Sequence, residues 1–479
     1  MPGFDHCDRI AGVVTESKRG AIEVRVGRHA EFAKEIAEDD GLRGATAAAR
    51  TRDRDGVVAL PPLRGQRCAA PHRLWYHCAP MTVATPSSNA PDAAALLARA
   101  AAMRPILERN ADTTDALRRL ADENVQALRE SGLCRLMVPA RFGGYQTNIR
   151  TYIEVMAEVG RGCGSTSWVA SLINVCAWLA ALFPEQAQAD IWGADRDAWI
   201  AGSLAPNGSA VPVDGGWRVS GRWPWASGSM HAQWAACGIH MKNDAGEMAN
   251  FGLSLLPMRE LTVEDTWFMA GMKGTGSNTI VASDVFVPAH RFLPYPDAFA
   301  GRYRTEHTDE VVYRAALIPV TVLILAPSQL GVARAALDHA IGGAATRGIT
   351  HTNFRTQAES AGFQMQVAEA AMKIDTATLH AHRAADDLDR YAQENRLMDI
   401  ASRARVRIDT ALAAKYCREA VEILVAAHGT SSLADANRMQ RLWRDVHAAS
   451  HHAITEWQVN LEVYGKALLG IEPNITHLV

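Results

Sequence analysis

What this chain lacks bounds it first. Its eight cysteines, at 7, 68, 78, 134, 163, 176, 237 and 417, include no CxxC pair. That excludes a zinc ribbon and a disulfide framework and points to a reduced, cytoplasmic chain. Charge of one sign is also missing: 49 Lys and Arg against 52 Asp and Glu leave a formal charge of −3. No basic face for nucleic acid or an anionic membrane is therefore expected. No apolar run reads as long enough to cross a membrane. Residues 1–30 mix Asp, Glu, Arg and Gly and do not read as a secretory leader. No strand–GxGxxG–helix unit with a later acidic residue is present, so no NAD(P)H site is expected. "GMKGTGSN" (271–278) is glycine-rich but lacks Walker spacing and does not enter a helix.

What is there has a clear order. Residues 1–91 are rich in Arg, Asp and Gly without a lasting period and read as a disordered tail or an over-called extension, with Met81 as the native start. Residues 92–196 carry helical periods. In "TTDALRRLADENVQALRESG" a Thr cap, apolar Leu117, Leu120, Val125 and Leu128, and a stop at Gly132 predict one helix. Two more apolar helices are predicted over 151–183, split at "RGCGSTS" (161–167). From 197 to 305 the period becomes two, as in "GWRVSGRW", "WAACGIHM" and "TIVASDVFVP", which predicts a β barrel or sandwich. Residues 306–479 return to helix in four runs, 311–345, 357–395, 398–427 and 432–470, with a stop at Gly429 and Ser432 as the next cap. These four runs predict a four-helix bundle.

The order helical domain, β domain, helical bundle, together with "CGSTSW" (163–168), "GRWPWASGSMHAQW" (221–234), "DTWFMAGMKGTGSNTIVASDVFVP" (265–288) and "WRDVHAASHH" (443–452), resembles the acyl-CoA dehydrogenase superfamily. More closely it is similar to the oxygenase components of two-component flavin-dependent monooxygenases, those acting on hydroxyphenylacetate, secosteroid phenols and dibenzothiophene. The resemblance implies a mostly α fold with a central β domain. It implies reduced FMN or FAD (FMNH2 or FADH2), O2 as co-substrate, a separate NAD(P)H-flavin reductase, a small aromatic substrate and a homotetramer. The apolar faces of 311–345 and 398–427 also exceed what one bundle needs to bury.

The motifs carry candidate residues. Many dehydrogenases of the superfamily place a carboxylate base a fixed interval after an Arg-Asp pair. Counted from Arg444-Asp445, that place is Ala453, with His452 beside it and Glu456 one turn on as a displaced base. The related oxygenases set a histidine here beside the flavin. A C4a-hydroperoxyflavin needs a proton on its distal oxygen and a phenol must lose one, tasks that suit an imidazole. Helix geometry puts Asp445, Ala448, Ala449 and His452 on one face, with two alanines leaving room for a flat ring. His447 and His451, spaced i, i+4, read as packing or surface rings without a third metal ligand.

Trp225, Ala226, Ser227 and Gly228 match the strand and turn that lie against the flavin's N5 edge. Many relatives have Ser or Thr where Ala226 stands, so Ser227 or the backbone is expected to make that contact. Lys273 stands where relatives often have an Arg near the flavin and substrate cavity. Cys176 falls where several oxygenases carry a substrate-site His, although a buried helical cysteine is the simpler reading. Arg347 resembles the arginine that reaches a neighbouring subunit's flavin phosphates.

Two other functions remain open: an acyl-CoA dehydrogenase-like flavoprotein, and a flavin-binding protein without catalysis. Deleting residues 1–80 should leave the melting temperature and activity nearly unchanged, because that segment lacks the apolar pattern of a core. A large loss of soluble protein would contradict this.

Overall fold

The computed structural model describes residues 91–243 and 247–479. The extension expected over 1–91 lies outside the described residues except for its last position. Six helices come first: α1 (Ala93–Arg109), α2 (Ala111–Leu117), α3 (Asp122–Ser131), α4 (Ile149–Gly162), α5 (Gly164–Ala180) and α6 (Glu185–Trp192). Asp92 caps α1 by accepting from Ala95 N, and Asn148 caps α4 by accepting from Thr151 N. The helix predicted across 113–132 is two. Thr113 and Thr114 lie inside α2 rather than capping it, and α2 ends at Arg118, which adopts a left-handed conformation with φ 53°. There its guanidinium forks onto Asp265 at 2.7 and 2.6 Å. The stop at Gly132 is present, with φ 70°. Cys163, in extended conformation, divides α4 from α5. In α5 every residue but Leu172 is buried, so this helix forms the centre of the core.

Seven strands follow: β1 (Ile200–Val213), β2 (Gly216–Ala226), β3 (Trp234–Lys242), β4 (Met248–Pro257), β5 (Thr262–Glu264), β6 (Asn278–Pro288) and β7 (Phe292–Pro294). They form one mixed sheet of order β5-β6-β2-β1-β3-β4-β7, in which β1 and β3 are parallel and the other neighbours antiparallel. The barrel or sandwich expected from the sequence takes the form of a single ladder with β5 and β7 at its edges. The β1–β2 hairpin turns at Asp214-Gly215, where Gly215 has φ 77°.

After α7 (Tyr295–Phe299) come α8 (Leu317–Leu323), α9 (Ala326–Gly343), α10 (Ala361–Gln393), α11 (Ile400–His428), α12 (Arg438–Ser450) and α13 (Trp457–Leu469). Two of the four predicted runs are broken. The first restarts at Ala326, just before Pro327, whose missing N–H is harmless only in a first turn. The last is interrupted over 451–456. Ser432 is not its cap: its hydroxyl donates to the carbonyls of Val425 and Gly429 and closes the end of α11. Asn437 caps α12 instead. Leu317–Gly343 is long and apolar enough by composition to cross a membrane, contrary to the sequence reading, yet most of it is buried inside the protein. It acts as a core element. The five cysteines among the described residues are free and buried.

Helices α4 and α9 touch through glycine. A Cβ on Gly331 would collide with the Ala157 carbonyl and lie 2.5 Å from Gly160 Cα. Gly331→Ala should therefore force the helices apart and cost about 1–3 kcal/mol. A denaturation midpoint equal to that of the unaltered protein would contradict this packing.

Candidate active site

Four distant segments meet where α5, α12 and the β domain come together. The 271–277 loop wedges between them, and its glycines are explained by the chain itself. A Cβ on Gly271 would collide with the Arg444 carbonyl of α12, and one on Gly274 with Thr114 of α2. The close backbone approach expected of this loop is therefore made, in this chain, to its own helices.

Between these glycines Met272 adopts φ 52°, uncommon for a residue with a side chain. Its N–H donates to Asp445 Oδ1 at 2.6 Å. Its carbonyl accepts from the Trp267 indole at 3.0 Å and the Thr275 hydroxyl at 2.9 Å. Asp445 is only 4% exposed. Burial pushes its carboxyl up to about 6 against the opposing Met272 N–H bond, and Asp115 adds to the rise. Leaving the Met272 N–H without an acceptor here would cost about 1–3 kcal/mol.

A chain of hydroxyls starts from the same carbonyl. Thr275 donates to it, so the 2.6 Å contact between Thr275 and Ser277 requires Ser277 to donate. The 2.6 Å contact between Ser277 and Ser227 then requires Ser227 to donate. Ser227 in turn accepts from the Trp168 indole N–H at 3.2 Å. Every hydroxyl therefore gives one bond and takes one, all in the same direction. The far end of this chain, the Trp168 ring, lies 6.0 Å from the His452 ring at a tilt of 53°.

His452 is not on a helix, contrary to the sequence reading. Helix α12 ends at Ser450, and His452 is extended at φ −60°, ψ 134°. Side-chain acceptors that compete with helical bonding explain the break. His452 Nδ1 accepts from Ile454 N at 3.3 Å, and Glu456 accepts from Val459 N at 2.8 Å to cap α13. Asp445, Ala448 and Ala449 remain on α12, and His452 reaches the Trp168 wall from the turn beyond it. Since Nδ1 accepts, the neutral ring carries its proton on Nε2, an assignment that follows from that bond. The ring is solvent-accessible, but protein packed about it lowers its pKa below the ordinary 6.5.

The other histidines are engaged elsewhere. His447 stacks near Trp443 at 4.7 Å and meets Glu422 at 3.3 Å, while His451 Nδ1 donates to the His447 carbonyl. Among the described residues no three His, Cys, Asp or Glu side chains group as a metal site.

The 223–228 segment lies beside this centre. The pairing of β2 with β6 slips between Trp223 and Ala226. Trp225 consequently stands at φ 67°, 62% exposed, with its ring edge-on to Trp267 at 5.3 Å. Ala226 and Ser227 are buried. The Ser227 hydroxyl already gives its proton to Ser277. Gly228 has φ 75°, its N–H donates to the Thr275 carbonyl, and a Cβ there would lie 2.9 Å from Val169 Cγ1. Lys273 Nζ lies 3.8 Å from Asp115, a carboxylate shared with Arg444 at 3.2 Å. Cys176 is buried under β1, 2.8 Å from where a Gly202 Cβ would stand, and burial pushes its thiol up to about 12. Such a thiol neither meets solvent nor exchanges a proton near neutrality.

Arg347 is not brought to this centre within one chain. It bonds His428 and, at 2.6 Å, Ser431. Asn437, the cap of α12, bonds the same His428 at 3.3 Å. His452 follows the opposite end of that thirteen-residue helix, which places Arg347 roughly 20 Å away. Burial, and then the Arg347 charge, push His428 down to about 4.

Trp168, Thr275 and Ser277 lie in the 163–168 and 265–288 motifs but are not among the expected site residues, and Asp445 is expected only on a helix face. The available signal was Asp445 itself, a charged residue beside Ala448 and Ala449 on a face otherwise fit for close packing.

Known proteins share this order of elements. Residues 93–194 match the family described as acyl-CoA dehydrogenase, N-terminal domain, and residues 323–457 match acyl-CoA dehydrogenase, C-terminal domain. The chain is 34% identical over 388 residues to the oxygenase component of the FADH(2)-dependent resorcinol hydroxylase of Rhizobium sp. (strain MTP-10005), covering 79% of this chain and 95% of that protein. The chain belongs to the acyl-CoA dehydrogenase superfamily. Within the superfamily it falls among the flavin-dependent monooxygenases. It is 34% identical to the oxygenase subunit HsaA of Mycobacterium tuberculosis (strain H37Rv), covering 80% of this chain and 98% of HsaA. Among solved structures, XiaF from Streptomyces sp., in complex with FADH2 and glycerol, superposes with a TM-score of 0.76 at 33% identity, over 80% of this chain and 97% of XiaF. The superfamily's order of helices, strands and helices is the one described above.

Proposed function

We propose that this monooxygenase is the oxygenase component of a two-component system. It would hydroxylate a small phenolic substrate with O2, using FADH2 or FMNH2 from a separate NAD(P)H-flavin reductase. The carrying observation is an accessible, neutral imidazole, His452, facing Trp168, with no carboxylate in its place. The position expected for a dehydrogenase base is Ala453, and the displaced candidate Glu456 is exposed and caps α13. Both facts weigh against the acyl-CoA dehydrogenase-like reading. A flavin-binding protein without catalysis would not need a proton-bearing ring at this wall.

The residues fit a flavin. Trp225, Met230, Phe268 and Met269 are exposed apolar side chains beside the 223–228 turn, and a flat ring needs such a surface. Trp225, Ala226, Ser227 and Gly228 would hold the ring, with backbone rather than the already bonded Ser227 hydroxyl making the polar contacts. Arg347 would bind phosphate of a flavin centred on a neighbouring copy. Reduced flavin would supply the two electrons and the place where O2 reacts. His452 would pass its Nε2 proton to oxygen and take the phenol's proton on the same nitrogen, Nδ1 being held by Ile454 N. Lys273, a cation beside Asp115, would suit a phenolate or acidic substrate. Cys176 would act only as packing behind the pocket.

Assembly is part of the proposal. Met365, Met372 and Leu379 on α10 are 67%, 70% and 69% exposed and recur every seven residues, a stripe suited to a helix of another copy. A cytoplasmic homotetramer is consistent with this stripe, with the distant Arg347 and with the free cysteines. Met372→Glu together with Leu379→Glu should shift the assembly to smaller species in light scattering. A variant unchanged in mass would contradict the stripe's role.

His452→Ala should still bind flavin and consume O2 but release hydrogen peroxide in place of product. Loss of one positioned acid–base group costs ~10²–10⁴-fold in rate. His447→Ala and His451→Ala should stay coupled. Product and peroxide per reduced flavin decide it: a coupled His452→Ala with an inactive Glu456→Ala would overturn the reading. Because the folded environment lowers the His452 pKa, the neutral ring persists as pH falls through 6.5. Coupling should therefore hold there and be lost only at lower pH.

A further inference from the structure

We propose that Asp445 is a positioning residue that sets the Trp168 wall opposite His452, by holding Met272 in its left-handed conformation at the root of the Thr275–Ser277–Ser227–Trp168 hydrogen-bond chain. The inference extends the oxygenase reading for its activity arm only.

Three observations carry it. First, Asp445 is buried, and among the described residues its carboxylate has one hydrogen bond, at 2.6 Å from Met272 N. The neighbouring cations bond elsewhere: Arg441 pairs with Asp112, and Arg444 with Gln440, Asp115 and the Ala270 carbonyl. Among the described residues no cation stands within 4.0 Å of its carboxylate, although the Arg441 and Arg444 charges reach it. Second, Met272 joins the two systems. Its N–H meets Asp445, and its carbonyl receives the hydroxyl chain that ends on Trp168. Rotation of the Met272 peptides would withdraw that acceptor and leave Thr275, Ser277 and Ser227 to reorient. Third, the loop is pressed onto α12 and α2 by Gly271 and Gly274, so a displaced Met272 moves loop and wall together.

The role demands a hydrogen-bond acceptor at Asp445, not a charge. Asp445→Asn keeps an acceptor and Asp445→Ala removes it. Two readouts separate this from a general loss of structure. In hydrogen exchange on the full-length protein without flavin, amides of 271–277 should stay protected in Asp445→Asn and exchange faster in Asp445→Ala. With reduced flavin and a phenol, Asp445→Asn should remain coupled. Asp445→Ala should lose product relative to peroxide by roughly tenfold to a hundredfold, the range that a small misplacement of reacting groups produces, while O2 consumption persists. Ser277→Ala cuts the chain in its middle and should show the same coupling loss. Adding Asp445→Ala to it should cause little further loss, because both act on one network.

A folded Asp445→Ala with protected loop amides overturns the proposal. So does an Asn variant as impaired as Ala. If Asp445→Ala fails to fold, a fully coupled Ser277→Ala overturns it. Should the unaltered enzyme form no hydroxylated product at all, the oxygenase reading fails, and the exchange measurement still decides the Asp445 contact.

Discussion

One hydrogen bond organises the site: the Met272 N–H to Asp445. It joins the β domain's glycine-rich loop to α12 of the bundle. A left-handed methionine persists only where its surroundings over-determine it. Here they do so through Asp445 on one side, and through Trp267 and Thr275 on the other. From that fixed peptide three hydroxyls run outward to Trp168, and the indole presents its ring to His452. In the proposed function the chemistry would stand on α5 and the turn after α12, with the β-domain loop aligning them.

The scaffold explains how related folds support different reactions. Where many of the superfamily's dehydrogenases carry a carboxylate after the Arg-Asp pair, this chain has Ala453, at the start of a short 3-10 turn that follows the end of α12. The resulting turn exposes an imidazole that a continuous helix would have directed elsewhere. Its neutral state comes from packing on its sides, and its tautomer from a single bond to Ile454. A proton donor that stays neutral near pH 7 suits oxygen transfer more than thioester deprotonation, which calls for a carboxylate.

Much of the fold was legible in the sequence. Strands do follow the first helices, from Ile200, helix returns from Tyr295, and helices end at Gly132 and Gly429. These signals are local. What escaped depends on contacts distant in sequence. Arg118 ends α2 while its side chain forks onto Asp265, so no local cap could announce the break. Ser432 resembles a cap but serves the preceding helix, because its hydroxyl finds the Val425 and Gly429 carbonyls. The helical period through 451–456 looks unbroken because His452 and Glu456 bond the backbone without disturbing the apolar pattern. At the site, His452 and the 223–228 turn could be picked out by motif. The link from Asp445 and Met272 to the Trp168 wall through Thr275, Ser277 and Ser227 could not, since hydroxyls separated by up to fifty residues carry no spacing signal.

Isotope labelling tests the central claim most directly. The purified chain, a flavin reductase, NADH, a simple phenol such as resorcinol and ¹⁸O₂ in unlabelled water are combined, and the product is weighed by mass spectrometry. A monooxygenase places one ¹⁸O atom on the ring of each product molecule. Unlabelled hydroxylated product, or peroxide alone across a panel of phenols, would contradict the account.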